Sequence, residues 1–279
     1  MTTVSRAASS TELVLLVGGP DSGKSTFLVQ LYGRLRHGLS TLSLVGAPES
    51  LAAVHDGLDR LSQGLPVRHT SAGVKVIQEL TMRRQDGEML RLSIPDYPGE
   101  AIDELVNTRN ISPHWRDLVV RSTRWNLFIR VERMSSLPSL PEFEEPMSEA
   151  TAKSRGLPLD IRLVELLQIL RHERQRHMLT DAFPPDLTVV LSCWDEISDI
   201  TDGVIPVMIL KQRMPLFYSY VAGNWEPSRH HVMGLSAQGR TLADDKPDPE
   251  FVDHGPESMG YLIRSNGSKT GDLSELLTL

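Results

Sequence analysis

A single cysteine, Cys193, stands in the 279 residues of the chain. An internal disulfide is therefore excluded, as suits a reducing cytosol. Long apolar runs are lacking too: none approaches the ~20 residues that a membrane-spanning helix needs. Met1–Ser10 has neither the basic nor the apolar region of a secretory signal. Position 2 is not glycine and no cysteine stands near the last residue, so no lipid anchor is expected. Excess positive charge is also missing. A formal net charge of −7 does not fit a nucleic-acid scaffold or a binder of anionic membranes. No internal repeat is visible. These absences leave a soluble, cytoplasmic protein as the expectation, with a loose polar tail over 1–10 and a single domain over 11–279. The hydrophobic content, 40%, suffices for a full core.

What is present alternates between short apolar runs and helical periodicities. Glu12–Val17 reads as a buried strand. Ser25–His37 reads as a helix, with Phe27, Leu28, Leu31 and Leu35 on one face and Gly38 as its stop. Thr41–Val45 reads as a short strand. Pro48–Gln63 reads as an amphipathic helix carrying Leu51, Val54, Leu58 and Leu61. Val74–Arg83 and Glu88–Ile94 form a hairpin around Asp86-Gly87. Helix is predicted from about Ala101 to Ser122, interrupted near Pro113, and strand over Trp125–Val131. Leu159–His177 and Val204–Tyr220 read as helices, and Leu187–Ser192 and His230–Leu235 as core strands. Two polar insertions are expected, at about 134–158 and 241–269. A short last helix is expected to be capped by Asp272, with Glu275 completing a capping box. The alternation predicts an α/β three-layer fold, with a mainly parallel sheet, one antiparallel edge strand and helices on both faces. Ligands of such sheets sit beyond the strand C-termini.

Gly18–Ser25 reads G-G-P-D-S-G-K-S and fits the pattern G-x-x-x-x-G-K-[ST]. It stands between a strand and a helix, which is the context the pattern requires. Backbone N–H groups of such a loop turn inward and cradle the α- and β-phosphates. Lys24 can reach the β- and γ-phosphates, and the Ser25 hydroxyl can bind Mg²⁺. The candidate phosphate-binding set is Gly18, Gly19, Pro20, Asp21, Ser22, Gly23, Lys24, Ser25 and Thr26.

Further candidates stand at later strand ends. Asp96, in P-D-Y-P-G-E, can hold Mg²⁺ through water opposite Ser25. Gly99 can set its N–H against a γ-phosphate and act as a hinge, although D-x-P-G is also ordinary turn chemistry. Glu100 can orient the attacking water, or simply serve as an acid at a helix N-terminus. Thr70, with Ser71 as alternate, can close on Mg²⁺ and the γ-phosphate, or be a turn residue. Asp195, in L-S-C-W-D-E, can accept N1–H and the exocyclic amine of guanine, and would be repelled by the N1 acceptor of adenine. It is equally placed to cap a helix. Ser236-Ala237 can offer backbone N–H groups to the guanine O6. Cys193 reads as a small apolar residue rather than a nucleophile. The arginines from Arg109 to Arg133 read mostly as a solvated surface, although one can serve as an internal clamp on the transition state; the sequence does not say which.

In this order the motifs resemble the P-loop GTPases of the translation-factor and Ras-like class, and most closely the bacterial double-GTPase group. The resemblance covers roughly residues 11–240 and the terminal helix. It implies a switch that hydrolyses GTP to GDP and phosphate with Mg²⁺. Lys24, Glu100, Thr70 and Gly99 would then be catalytic, and Ser25, Thr70 and Asp96 would hold the metal. Asp195, Ser236 and Ala237 would bind the base. It also implies protein effectors or regulators that read the switch loops Leu65–Gly73 and Asp96–Glu104, in multi-gene systems suspected of anti-phage or conflict roles. An ATPase, a kinase or a nucleotide-loaded scaffold would share the phosphate loop. Three departures stand out. Ser192-Cys193-Trp194-Asp195 replaces N-K-x-D, leaving Trp194 as the candidate apolar face for the base. Glu100 replaces the usual glutamine. Asp21 stands where some GTPases use asparagine to hold a monovalent cation.

Overall fold

The computed structural model describes residues 11–46, 52–68, 79–94, 100–134, 158–178, 184–197 and 203–279. Among the described residues, nine strands form one sheet in the order β2-β3-β4-β1-β5-β6-β7-β8-β9. They are β1 (Glu12–Gly18), β2 (Ser43–Leu44), β3 (Glu79–Arg83), β4 (Met89–Ser93), β5 (Arg124–Arg130), β6 (Asp186–Ser192), β7 (His230–Ser236), β8 (Tyr261–Ile263) and β9 (Lys269–Thr270). The five strands β4, β1, β5, β6 and β7 pair in parallel. Every residue of β6 after Asp186 is buried, and so is every residue of β1 after Glu12. Such strands read as continuous apolar runs because both sheet faces are covered.

Alternate residues of β1 serve the two faces. Val14 and Leu16 face α1 (Lys24–Arg36), together with Phe27, Leu28 and Leu31. Leu13, Leu15 and Val17 face the opposite layer. That layer contains α3 (Glu100–Thr108), α4 (Pro113–Arg121), α5 (Leu159–His177), α6 (Pro206–Arg213) and α7 (Pro215–Asn224). α2 (Ala52–Ser62) packs outside α1, where Val29 and Leu61 meet Phe251 of α8 (Pro249–His254). The three-layer α/β architecture with a parallel centre is thus present. Among the described residues, no helix is long and apolar enough to cross a membrane.

Four features differ from the sequence expectation. The region 241–269 is folded: it supplies α8, and its β8 pairs antiparallel with β7 while β9 pairs with β8. The sheet therefore carries antiparallel strands at both edges, not at the β3 edge alone. β8 and β9, of three and two residues, are too short to show a period-two pattern. The helix expected over Val204–Tyr220 is two helices, because Pro215 lacks an N–H and its ring excludes a continuing turn. Asp160 of α5 receives the N–H groups of Leu216 (3.3 Å) and Phe217 (2.5 Å) and so caps α7 from outside. The C-terminal element is a 3₁₀ segment, Leu273–Leu277, capped by Asp272 on Ser274 N (2.9 Å). Glu275 does not complete the box: Arg264 grips its carboxylate with Nε and Nη2, each at 2.6 Å. The expected insertion at 134–158 falls almost wholly outside the described residues.

Candidate functional site

Gly18–Ser25 leaves β1 and enters α1 as a loop wrapped around the Lys24 side chain. Gly23 takes φ +80, a left-handed conformation that costs glycine little. Gly23 makes no side-chain cap at the N-terminus of α1, and its carbonyl accepts the Phe27 N–H at 2.9 Å, which starts the helix directly after the loop. Lys24 Nζ donates to Gly18 O (2.6 Å), Gly19 O (2.8 Å) and Ser22 Oγ (3.0 Å). Ser22 Oγ in turn donates to Gly19 O (2.9 Å). The loop thus closes on the ammonium that would meet the phosphates. Burial lowers the Lys24 pKa to about 8, and the nearby Asp21 carboxylate opposes the shift.

The second cluster lies where β6 and β7 end. Ser192 is buried beside the loop, 3.6 Å from where a Cβ on Gly23 would stand. Cys193 takes φ 54 and turns the chain into a single 3₁₀ turn, Trp194–Glu196. Burial pushes its thiol up to about 12, with Glu196 adding to the effect, so the group is a neutral, small residue as expected. Asp195 Oδ1 accepts a hydrogen bond from Ser236 Oγ, which itself accepts from Gly239 N (2.8 Å). Asp195 Oδ2 faces Thr241 Oγ1 at 3.5 Å. Arg130 grips Glu196 through Nε (3.0 Å) and Nη2 (2.6 Å), tying this turn to the end of β5. A cavity of about 350 Å³ opens beside Asp195, lined also by Arg240, Thr241, Tyr261 and Lys269.

The structure brings the phosphate-loop set, Gly18 to Thr26, together, and separately brings Asp195, Ser236 and Ala237 together. Parallel pairing of β1, β5, β6 and β7 puts both groups at the same edge of the sheet. Thr70, Asp96 and Gly99 lie outside the described residues. Glu100 opens α3. The Trp194 ring packs over Gly234, where a Cβ would stand 2.6 Å from Cε3; it is 4% exposed and also lines the cavity beside Asp195. Asp21 does not stand alone in the loop: its Oδ2 lies 2.8 Å from Arg133 Nη2. Thr241, Arg130 and Arg133 were not singled out by the sequence, because nothing local to them marks which strand end they reach.

For Mg²⁺, the fold places the Ser25 hydroxyl in the first turn of α1. Hydroxyl and carboxylate oxygens are the donors that a hard cation takes, so this donor chemistry fits the ion.

The Double-GTPase 1 family model matches residues 15–279. No curated protein matches the chain in sequence. Among solved structures it is similar to the Ski7 GTPase-like domain of S. cerevisiae bound to GTP, at 13% identity and TM-score 0.45, covering 81% of this chain and 43% of that one. It is similar to a bacterial selenocysteine-specific elongation factor, EF-Sec, at 12% identity and TM-score 0.35, covering 82% and 26%. A third is the Arl6 (BBS3) small GTPase of Trypanosoma brucei with a bound nucleotide analogue, at 11% identity and TM-score 0.35, covering 82% and 88%. The chain spans less than half the length of the first two of these. The match to the family model, which takes in the phosphate loop and both later strand ends, decides the assignment. The chain belongs to the Double-GTPase 1 family.

Proposed function

We propose that the chain is a GTP-dependent switch in which hydrolysis with Mg²⁺ governs its contact with partner proteins. The observation that carries this reading is the Asp195 carboxylate, held by Ser236 at the same sheet edge as the phosphate loop. An oriented carboxylate matches the paired donors of guanine and leaves adenine with an unpaired acceptor. Ser236 acts by fixing Asp195, and the Ala237 N–H is assigned to the guanine O6. The backbone from Gly18 to Thr26 cradles the phosphates, and Lys24 balances charge on the β- and γ-phosphates. Ser25, with Asp96 and, in the triphosphate state, Thr70, would hold Mg²⁺, which would supply charge neutralisation at the phosphate oxygens. Gly99 senses the γ-phosphate, and Glu100 orients the attacking water. The segments Leu65–Gly73 and Asp96–Glu104, the second running into the start of α3, are assigned as the parts through which effectors or regulators read the nucleotide state. Such partners fit a bacterial multi-gene system with an anti-phage or conflict role.

Asp195→Asn tests the base assignment. The amide presents a donor where guanine has its donors, and it suits the carbonyl of xanthine. We expect GTP affinity to fall by about 100-fold or more, and affinity for xanthosine triphosphate to rise correspondingly. Competition binding with GTP, ATP and xanthosine triphosphate reads the outcome, and unchanged GTP binding would remove Asp195 from the site.

A further inference from the structure

The phosphate loop contains a carboxylate, and its presence is the anomaly. An anion in a cradle for a triphosphate opposes binding unless a positive charge answers it. Asp21 sits at φ 53 in the middle of the loop. The answering charge comes from Arg133, at the end of the one-turn 3₁₀ segment Val131–Arg133 that leaves β5. Arg133 Nη2 donates to Asp21 Oδ2 at 2.8 Å, and Nη1 donates to Pro20 O at 3.0 Å. The approach is set by the sheet: β5 is the parallel neighbour of β1, with Phe128 opposite Gly18, so the exit of β5 runs beside the loop. Both partners are partly exposed, Arg133 at 47% and Asp21 at 34%. The guanidinium is therefore anchored on the loop without being packed into the core, and it can turn on its long stem. A guanidinium carries five donors in a fixed fork, enough to keep one contact on the loop while others engage a phosphate.

We propose that Arg133 is a catalytic arginine supplied by the chain itself. Its guanidinium rests on Asp21 and Pro20 O, beside the phosphate cradle. With GTP bound it turns its guanidinium onto the phosphate oxygens on the β–γ side. In the reaction water attacks the γ-phosphorus and the bond from the β–γ bridging oxygen to that phosphorus breaks. The bond pair stays on the β-phosphate of GDP, and the water proton leaves with the inorganic phosphate or to solvent. Arg133 gains and loses no bond. It stabilises the charge that grows on the bridging oxygen, as arginines do in this chemistry. Asp21 is a positioning residue: it holds the guanidinium at the loop before nucleotide arrives. The inference rests on GTP hydrolysis as the reaction of this site.

The test compares wild type, Arg133→Ala, Arg133→Lys, Asp21→Asn and the double variant Asp21→Asn/Arg133→Ala, all as the full chain. Single-turnover hydrolysis, GTP affinity, and affinity for GDP with aluminium fluoride are measured in each. Arg133→Ala is expected to slow hydrolysis by about 10³-fold, to change GTP affinity far less, and to abolish the aluminium fluoride complex while retaining GDP. Arg133→Lys should recover only part of the rate, since it keeps the charge but not the fork. The loss must persist when Arg133→Ala is made in the Asp21→Asn background. If the loss vanishes there, Arg133 merely neutralises Asp21 and the proposal is overturned. It is also overturned if Arg133→Ala hydrolyses GTP as wild type does. A wild type that binds GTP but never turns it over overturns both this inference and the function on which it rests.

Discussion

Folding takes Lys24 out of water before any phosphate arrives. Its ammonium is wrapped by Gly18 O, Gly19 O and Ser22 Oγ, and burial, outweighing the attraction of Asp21, brings its pKa from 10.5 to about 8. A lowered folded-state value means that the unfolded chain binds more protons between those limits. The shift therefore costs the nucleotide-free fold stability below about 8 and returns it as pH rises toward 10.5. A bound triphosphate reverses the balance, because its charge favours the ammonium. Binding above the free-state value must then take up a proton. GTP affinity should be nearly flat at neutral pH and fall as pH rises through 8, by at most about tenfold per pH unit. Calorimetry in buffers of different ionisation enthalpy would report the proton uptake. Affinity independent of pH across this range would mean that Lys24 is already fully charged in the free protein. At the same scale, Arg34 shows what sequence reading could not reach. It is a buried cation on α1 that donates to the carbonyls of Gly271, Met259 and Gly260. Each of these acceptors lies more than two hundred residues away, and no local pattern pairs them.

At the scale of elements, what was legible is what is local. β1, the phosphate loop and α1 follow one another within 25 residues, Glu12–Arg36, and their order alone identifies them. α5 was legible because Leu163, Leu166, Leu167 and Leu170 mark one buried face. The break between α6 and α7 was not, because apolar spacing runs on through it and only Pro215 interrupts. The fold makes that break stable by sending Asp160 from the first turn of α5 to the N-terminus of α7. Two otherwise orphaned N–H groups are satisfied by one carboxylate that is 2% exposed. Asp160→Ala leaves both N–H groups unpaired in a dry site and should cost about 2 kcal/mol. Asp160→Asn should cost less, since one amide oxygen can still accept. Chemical denaturation checks the order of the three proteins. Equal midpoints for wild type and Asp160→Ala would show that α7 is capped by other means. Neither change touches the phosphate loop, so GTP affinity should hold in the folded fraction.

The whole molecule closes around residues that the sequence reading had set aside as an insertion and a short last helix. The phosphate side of the site was readable because it lies in one eight-residue loop. The base side needed β6 and β7 to be neighbours before Ser236 could be seen to hold Asp195, and Arg133 needed β5 beside β1. The same long-range closure governs stability. Leu273, Leu276 and Leu277 are fully buried, in the same apolar layer as Phe27, Leu28 and Leu31 of α1. Asn126, buried in the middle of the sheet on β5, donates its Nδ2–H to Leu276 O at 2.8 Å. The last turn is thus part of the core beneath the helix that carries Lys24 and Ser25. Leu276→Ala should destabilise the chain by about 2–5 kcal/mol through lost burial and the cavity left behind. Removing residues 273–279 deletes three such leucines and orphans Asn126 at once, a loss comparable to the ~5–15 kcal/mol that holds a domain together. The shortened chain should therefore be unfolded by circular dichroism and bind no GTP, while Leu276→Ala stays folded with a lower melting temperature and binds GTP. A shortened chain that melts cooperatively near the wild-type temperature would mean that α1 has enough support from the sheet alone.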